Sequence, residues 1–457
     1  MRLKIAGGRV FDPAQGWQGE TRDLYIDGER LVSRLPRVDT VIEAHNQAVV
    51  PGGIDLRGQV ATFGLNFLRL WGAVPPHGKL GEIYALQGYT HVHEPFLTLA
   101  TAGYVHRELA ALPVVDVSAS LVVNLRDLDL ALKDSERLGE LAETLGFLQE
   151  KTRTLNFRVV EPWVRHRQEF YRHRTLPLSE TLEVLARLAG KLNTTLILEA
   201  SPEVLESALP EPRAFHLSAL GPALSADGLV DAALAHLERG VTADLGFIWP
   251  QEISGSNGIP AQMDLGLWRP LSLKPAARRQ QARRALLLSL SAGDTQAAFS
   301  AAGAVQGPVV NYADFFSWLG DRQARREYWG EEVQGGHYSF FDWVRATRTL
   351  PARFLGLADR GHLGPGARAD IAFYDLPPEA EGRWPERVRG CRTLIKSGLL
   401  LVENGRLVRA EHPKAAWYRR TGAAATPLAE ELCQLRSLRP ENLWRLEELE
   451  DAAWAEV

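Results

Sequence analysis

Two histidines one residue apart, His91 and His93 in the stretch GYTHVHEPF, form the clearest pair of metal-ligand side chains in the sequence. Because side chains alternate along a β-strand, both imidazoles would lie on one face of a strand here. Such a pair suits zinc. A metal site needs three or four converging ligands, and His216 is a candidate for the third ligand. The alternative, which we prefer, is that His91 and His93 line a polar interior with Glu94 as a neighbouring partner.

A second group of residues could bind an anion. The stretch RHRQEFYRHR contains four arginines within ten residues, namely Arg165, Arg167, Arg172 and Arg174. Guanidinium groups pair bidentately with carboxylates, so this stretch could hold an acidic ligand. The other interpretation is a solvated surface segment that also contains Glu169, and the sequence leaves both open.

The elements that would position these residues follow a βα rhythm. From Gly53 to about residue 350, short apolar runs such as LNFRVVEP, TTLILEAS and VTADLGFIW alternate with amphipathic helical stretches. This alternation predicts a parallel sheet with helices outside it, most economically a (β/α)-barrel. Both ends of the chain, residues 1–52 and 352–412, instead carry short strands separated by glycine turns. We predict that they form one small β-sandwich, followed by a helical tail over residues 413–457.

Composition narrows the class of protein. The chain has 457 residues, a net charge of -4, and ordinary hydrophobic and charged fractions of 45% and 24%. This balance predicts no general affinity for nucleic acid or for an anionic membrane surface. Two distant cysteines, Cys391 and Cys433, exclude a disulfide framework and fit a reducing compartment. Without an apparent signal peptide or membrane-spanning stretch, we expect a cytoplasmic protein.

Several stretches resemble a known family. Gly361–Leu376, GHLGPGARADIAFYDL, resembles the G-x-x-x-x-G-x-x-A-D segment that precedes a β-strand near the C-terminus of amidohydrolases. Residues 81–119 look like the second barrel unit of the amidohydrolase-type subunit of formylmethanofuran dehydrogenase, which also occurs in the bacterial formyltransferase/hydrolase complex. The resemblance covers nearly the whole chain. It implies an amidohydrolase-type (β/α)8 TIM barrel over residues 53–351, other complex subunits as partners, and a furan-type one-carbon carrier whose acidic tail the arginine-rich stretch could hold.

The resemblance also implies a dinuclear zinc site, but its ligand positions are substituted here. PGGIDLRGQ resembles the first barrel strand of metal-dependent amidohydrolases, and the two histidines that should follow fall on Arg57 and Gln59. The bridging lysine falls on Arg158, and the catalytic aspartate falls on Ala302. His216 alone keeps its residue type, as a possible relic. A guanidinium cannot ligate a cation, and an amide is a poor zinc ligand.

We therefore predict an amidohydrolase-fold subunit without a working metal site and without a cofactor. Its expected role is structural or carrier-binding, with Arg57 paired to a nearby carboxylate such as Asp55 or Glu94. The alternative is an active zinc-dependent hydrolase of a formylated amine, with one relocated metal on His91, His93 and His216. A free-standing binding protein is a third possibility.

Overall fold

The structure is a computed structural model of the chain. It describes residues 2–62, 64–65, 69, 75–124, 128, 134–160, 177–247, 250, 263–264, 269–270, 275–293, 295–300, 312–330, 333, 336–409, 412–439 and 453–457. The arginine-rich stretch 165–174 and Ala302 lie outside these residues.

The described strands are numbered in chain order. They are β1 Arg2–Asp12, β2 Trp17–Asp27, β3 Arg30–Val32, β4 Thr40–Glu43, β5 Ala48–Pro51, β6 Gly53–Asp55, β7 Tyr89–Leu97, β8 Asp116–Val123, β9 Asn156–Val159, β10 Leu196–Glu199, β11 Phe215–Ser218, β12 Thr242–Asp244, β13 Met263–Asp264, β14 Arg269–Pro270, β15 Ala297–Ala298, β16 Ile371–Tyr374, β17 Thr393–Lys396, β18 Leu399–Glu403, β19 Arg406–Leu407, β20 Ala416–Tyr418 and β21 Trp454–Glu456.

The described α-helices are numbered in the same way. They are α1 His77–Leu86, α2 Ala102–Ala110, α3 Leu138–Lys151, α4 Leu178–Leu192, α5 Pro202–Glu206, α6 Leu220–Ala223, α7 Gly228–Glu238, α8 Pro275–Ser291, α9 Tyr312–Gly320, α10 Arg322–Trp329, α11 Phe340–Val344, α12 Leu350–Leu355, α13 Trp384–Arg387 and α14 Pro427–Gln434. A π-helical turn, Arg345–Thr349, joins α11 to α12.

One sheet is mixed and contains strands from both ends of the chain. Its order is β19-β18-β17-β16-β5-β1-β2-β3, and β4 pairs with β1 in parallel. The two ends meet where β5 runs antiparallel to β16, with Pro51 opposite Ile371. Asp370, directly before β16, accepts the backbone N–H of Ser397 at 2.8 Å. Asp370, which ends the G-x-x-x-x-G-x-x-A-D segment, therefore also holds the turn after β17.

The second sheet contains eight parallel strands in chain order, β6-β7-β8-β9-β10-β11-β12-β15. Helices connect most of the described strands, which is the βα arrangement that the sequence predicts. The α/β class is confirmed. The runs LNFRVVEP, TTLILEAS and RAFHLSAL supply β9, β10 and β11.

Strands of the parallel sheet alternate between apolar and polar residues. In β9 and β11, the apolar residues Phe157, Val159, Phe215 and Leu217 belong to the large hydrophobic core that also contains Leu182 and Leu185 of α4. Burying one such side chain contributes about 1.5–3 kcal/mol to the stability of the fold. The apolar outer face of the sheet is therefore an important source of stability. The residues between them are polar and also buried. The sheet consequently encloses a polar interior.

The C-terminal tail is only partly helical. It adds β20 to β8 in parallel, with Ala416 opposite Val117, and β21 pairs with β20. Residues 440–452 of the predicted helical tail lie outside the residues that the structure describes, and Trp454–Glu456 form a strand. The described part of the tail contains the helix α14 as well as β20 and β21, and β20 pairs with the first half of β8.

None of the described helices combines the length and the apolar character needed to cross a bilayer.

Candidate functional site

The polar interior of the parallel sheet is the candidate site. Each central strand directs one or more polar side chains inward, and these are almost fully buried. They are His91 and His93 of β7, Asp116, Ser118 and Ser120 of β8, Asn156 and Arg158 of β9, Glu199 of β10, His216 and Ser218 of β11, and Asp244 of β12. Barrel interiors are usually filled by branched apolar side chains. Polar side chains buried in such numbers indicate a site or its remnant.

Two buried arginines share one carboxylate at the carboxyl ends of the strands. Arg57, two residues after β6, donates to Glu199 Oε1 at 3.0 Å, and Arg158 donates to Oε2 at 2.8 Å. All three side chains are no more than 3% exposed. The guanidinium carbons of Arg57 and Arg158 also lie 5.6 and 5.2 Å from the ring centroid of Phe96. We call Arg57, Glu199 and Arg158 the Arg-Glu-Arg cluster.

The structure corrects the partner expected for Arg57. Asp55 accepts only the backbone N–H of Arg57 in the described contacts, while its other oxygen accepts from the hydroxyls of Tyr84 and Tyr312 at 2.6 and 2.9 Å. Glu94 accepts the backbone N–H groups of Ala61 and Phe96 and the hydroxyl of Thr62. Asp55 is therefore committed to two tyrosine hydroxyls and a backbone N–H, and Glu94 to groups within β7 and after β6. The Arg57 guanidinium donates to Glu199 instead.

The residues present do not fit a dinuclear zinc centre at this place. A guanidinium has no lone pair to donate, and a divalent ion beside Arg57 and Arg158 would meet two positive charges. Among the described residues, no group of three or more His, Cys, Asp or Glu side chains converges as a metal site.

His91 and His93 bind serines rather than each other. His91 Nε2 lies 2.7 Å from Ser118 Oγ, which also contacts His93 Nδ1 at 2.8 Å. His93 Nε2 contacts Ser120 Oγ at 2.7 Å. The expected partner Glu94 does not contact them in the described structure, because alternation along β7 turns it away from the inner face. These hydrogen bonds satisfy both ring nitrogens of His93 and the Nε2 of His91, whereas His91 Nδ1 is buried without a partner among the described residues.

His216 belongs to a different group. Its Nε2 lies 3.1 Å from Asp244 Oδ2, and its Nδ1 lies 3.0 Å from Thr242 Oγ1. Asp244 Oδ1 also accepts from the backbone of Ala219 and from the Ser300 hydroxyl. Burial alone would raise the pKa of Asp244, but the hydrogen bond from His216 and the nearby Arg158 hold it well below its usual range. The structure thus separates His216 from the His91–His93 pair by their hydrogen-bond partners.

Asp244 was missed in the sequence, although the alternation in VTADLGF points it to the same face as Thr242. Glu199 lies near the end of the run TTLILEAS, which the sequence indicates only as an apolar strand. Both are acids at the carboxyl end of a strand, a position that favours a functional side chain in this kind of sheet. Their position at the ends of predicted strands could have identified both acids from the sequence.

The buried histidines make stability depend on pH. Burial lowers the pKa of His91 to about 3 and that of His93 well below its ordinary value. The unfolded chain binds these protons near pH 6.5, so stability is lost as pH falls below that value. The loss is about 1.4 kcal/mol per pH unit for each histidine. We expect His91→Gln to reduce the slope of unfolding free energy against pH by about that amount between pH 6 and pH 4.

Urea unfolding at several pH values measures this slope. His45→Gln is the matched control, because the side chain of His45 is 71% exposed. Parallel curves for the wild type and His91→Gln would contradict the argument.

Comparisons with known proteins agree with this fold. Residues 279–402 match the model of an amidohydrolase family. The chain is 23% identical to protein FwdA of Methanocaldococcus jannaschii, over 90% of this chain and 89% of that protein. It is 24% identical to FhcA, a component of the formyltransferase/hydrolase complex Fhc of Methylorubrum extorquens, over 89% of each.

Solved structures show the same fold. The crystal structure of the M. extorquens formyltransferase/hydrolase complex with methylofuran matches with a TM-score of 0.82 and 19% identity, over 100% of this chain and 99% of that chain. A zinc-bound variant of atrazine chlorohydrolase TrzN from Arthrobacter aurescens matches with a TM-score of 0.54 and 15% identity, over 89% and 96% of the two chains. The chain has an amidohydrolase-type fold, with a curled parallel sheet and an additional mixed sheet. Over about nine tenths of its length it is similar in sequence to FwdA and FhcA.

Proposed function

We propose that this protein is an FhcA-like component of a formyltransferase/hydrolase-type complex in which an ion cluster replaces the metal centre. The observation that carries the proposal is the Arg-Glu-Arg cluster. It places two guanidinium groups and their carboxylate at the carboxyl ends of β6, β9 and β10. Amidohydrolases place their chemistry at these ends. The protein would contribute shape and binding rather than metal-dependent hydrolysis.

The finer architecture is part of this proposal. Eight parallel strands in chain order support a closed (β/α)8 barrel over residues 53–351. The pairing of β5 with β16 supports a composite β-sandwich of residues 1–52 and 352–412. The tail from residue 413 completes the edge of β8. We propose a cytoplasmic location, which fits a chain whose two cysteines, Cys391 and Cys433, lie far apart in the sequence and provide no disulfide framework.

The second part of the proposal concerns binding. The partners would be the other subunits of such a complex, and the ligand would be a furan-type one-carbon carrier. The relative of known structure was crystallised with methylofuran, which motivates this choice. Arg165, Arg167, Arg172 and Arg174 remain the proposed contacts for an acidic part of the carrier, because guanidiniums pair strongly with carboxylates.

Metal content is the direct test of this proposal. We expect protein purified without chelators to contain close to zero zinc per chain by elemental mass spectrometry. Addition of zinc should give no hydrolysis of N-formylfurfurylamine, because the Arg-Glu-Arg cluster offers no ligand set. One or two zincs per chain with zinc-dependent release of formate would instead establish the hydrolase. In that case His91, His93 and His216 would be replaced next.

Co-purification tests the complex separately. The tagged chain, expressed with a formyltransferase subunit from the same genome, should elute with it as one species in size-exclusion chromatography. Elution as two separate species would favour a free-standing binding protein.

A further inference from the structure

The polar interior opens at the end opposite to the proposed functional face. A cavity of about 500 Å³ is lined by Thr195, Arg213, Thr242 and Gln296, which precede or begin β10, β11, β12 and β15. These positions mark the amino ends of the parallel strands. Amidohydrolase-type chemistry uses the carboxyl ends, so this opening is separate from the face discussed above.

The cavity reaches the centre of the sheet. His93, Arg158, His216 and Asp244 line its inner part. Arg158 is 1% exposed, and its Nε has no hydrogen-bond partner among the described residues. Gln296 Oε1 is also buried without a partner in the described structure. Buried polar atoms without partners are costly, so these groups favour a polar occupant of the cavity.

Outside this opening lies a larger groove of about 860 Å³. It shares Thr195, Arg213, Arg353, Phe354 and Leu355 with the inner cavity, so the two are continuous. Four arginines line the groove, namely Arg187, Arg213, Arg353 and Arg419, against two acids, Glu183 and Glu211. No carboxylate of a described residue forms an ion pair with any of the four. We call this groove and the inner cavity the amino-end groove.

The surroundings of these four arginines differ from those of three buried arginines elsewhere in the molecule. Arg57, Arg158 and Arg360 each have a carboxylate partner in the described structure. The arginines of the amino-end groove are partly or fully solvent-accessible and face open space, with Arg353 also lining a third cavity of about 530 Å³. Several guanidiniums around one concave surface, without carboxylate partners among the described residues, favour a ligand with more than one anionic oxygen. Phe354, Leu355 and Pro210 add apolar contact area for its body.

We propose that the amino-end groove binds a small organic oxyanion, with phosphate or carboxylate groups on Arg187, Arg213, Arg353 and Arg419. The inner cavity would accept the end of that ligand beside Arg158 and His216. The site shares Arg158 with the Arg-Glu-Arg cluster, but its four outer arginines lie away from the face on which the proposed function rests. It adds a second binding face to the chain, at the other end of the parallel sheet.

Isothermal titration calorimetry of the full chain in low-salt buffer tests this proposal, with inorganic pyrophosphate and citrate as separate probes. At least one should bind with a single-site isotherm, and the stronger of the two identifies the phosphate or the carboxylate as the preferred group. Arg353→Gln and Arg213→Gln should each weaken binding about tenfold or more, because each removes a charge-assisted contact. These exposed side chains can be replaced without disturbing the core.

Arg406→Gln is the matched control, since Arg406 is an exposed arginine of β19 in the other sheet. It should leave the affinity unchanged. The absence of saturable binding by both probes would overturn the proposal. An equal loss of affinity in Arg406→Gln and Arg353→Gln would also overturn it, because binding would then follow net charge rather than the groove.

Discussion

Replacing Glu199 by glutamine is expected to destabilise the protein by about 3–5 kcal/mol, because it removes the carboxylate that two buried guanidiniums share. Each oxygen of Glu199 now accepts from a different arginine. Glutamine keeps the shape of the side chain but offers one acceptor and one NH2 donor. The NH2 group would therefore face either Arg57 or Arg158, donor against donor.

The measurement is urea unfolding followed by tryptophan fluorescence. Glu206→Gln is the matched control, since Glu206 is an exposed glutamate at the end of α5 and should change stability by less than about 0.5 kcal/mol. A loss for Glu199→Gln no larger than that of this control would show that the Arg-Glu-Arg cluster does not hold the interior.

A triple replacement separates charge from packing. Methionine at positions 57, 158 and 199 removes both guanidiniums together with the carboxylate. Buried ion clusters can often be exchanged for apolar residues of similar volume at little cost or with a gain in stability. We expect the triple variant to be more stable than Glu199→Gln alone. If it is less stable, then the shape of the cluster matters more than its charge.

The outer face of the parallel sheet could be predicted from the sequence, and much of its inner face could not. Runs such as LNFRVVEP carry the alternation that identifies a strand and its apolar face. The pairing of Arg57 with Glu199 joins residues 142 positions apart, and no local pattern records it. The family resemblance identified which ligand positions are substituted. It did not show that the substitutes bind one another, because that depends on which side chains the curled sheet brings together.

At the amino end of β8, the sequence again does not show the partners of a buried side chain. The alternation D-x-S-x-S from Asp116 to Ser120 indicates an inward polar face, but its partners come from the far end of the chain. Lys396 of β17, Arg360 and the tail residues Ala415 and Trp417 all converge on Asp116. This carboxylate links the parallel sheet, the mixed sheet and the tail.

Asp116→Asn is the second substitution with a large expected effect, again about 3–5 kcal/mol. Lys396 is fully buried, and its Nζ lies 2.6 Å from Asp116 Oδ1 and 2.9 Å from the carbonyl oxygen of Pro413. Arg360 keeps Asp370 as a partner, whereas Lys396 would keep only the carbonyl among its described contacts. The variant thus leaves a buried ammonium without an anion. Asp375→Asn, at an exposed aspartate, is the control.

Low pH should reduce the difference between the wild type and Asp116→Asn. Burial alone would raise the pKa of Asp116, but Lys396 and Arg360 hold it well below its usual range. Its stabilising contribution is therefore complete above about pH 4, the ordinary value, and is lost as pH falls from there toward the depressed value. The difference in unfolding free energy between the two proteins should therefore be about 1 kcal/mol smaller at pH 3 than at pH 7. A gap that is independent of pH would show that the charge of Asp116 is not what the variant removes.

Lys396→Met added to Asp116→Asn should restore part of the lost stability, because it removes the ammonium that the first change leaves unpaired. Hydrogen exchange gives a local measure of the same link. The backbone N–H of Val117 donates to the carbonyl of Ala415, and Asp116 accepts the backbone N–H of Ala415. We expect residues 415–418 to exchange faster in Asp116→Asn than in the wild type and to regain protection in the double variant. Unchanged exchange there would mean that the tail holds β8 through backbone pairing alone, and that Asp116 stabilises only the contact between the two sheets.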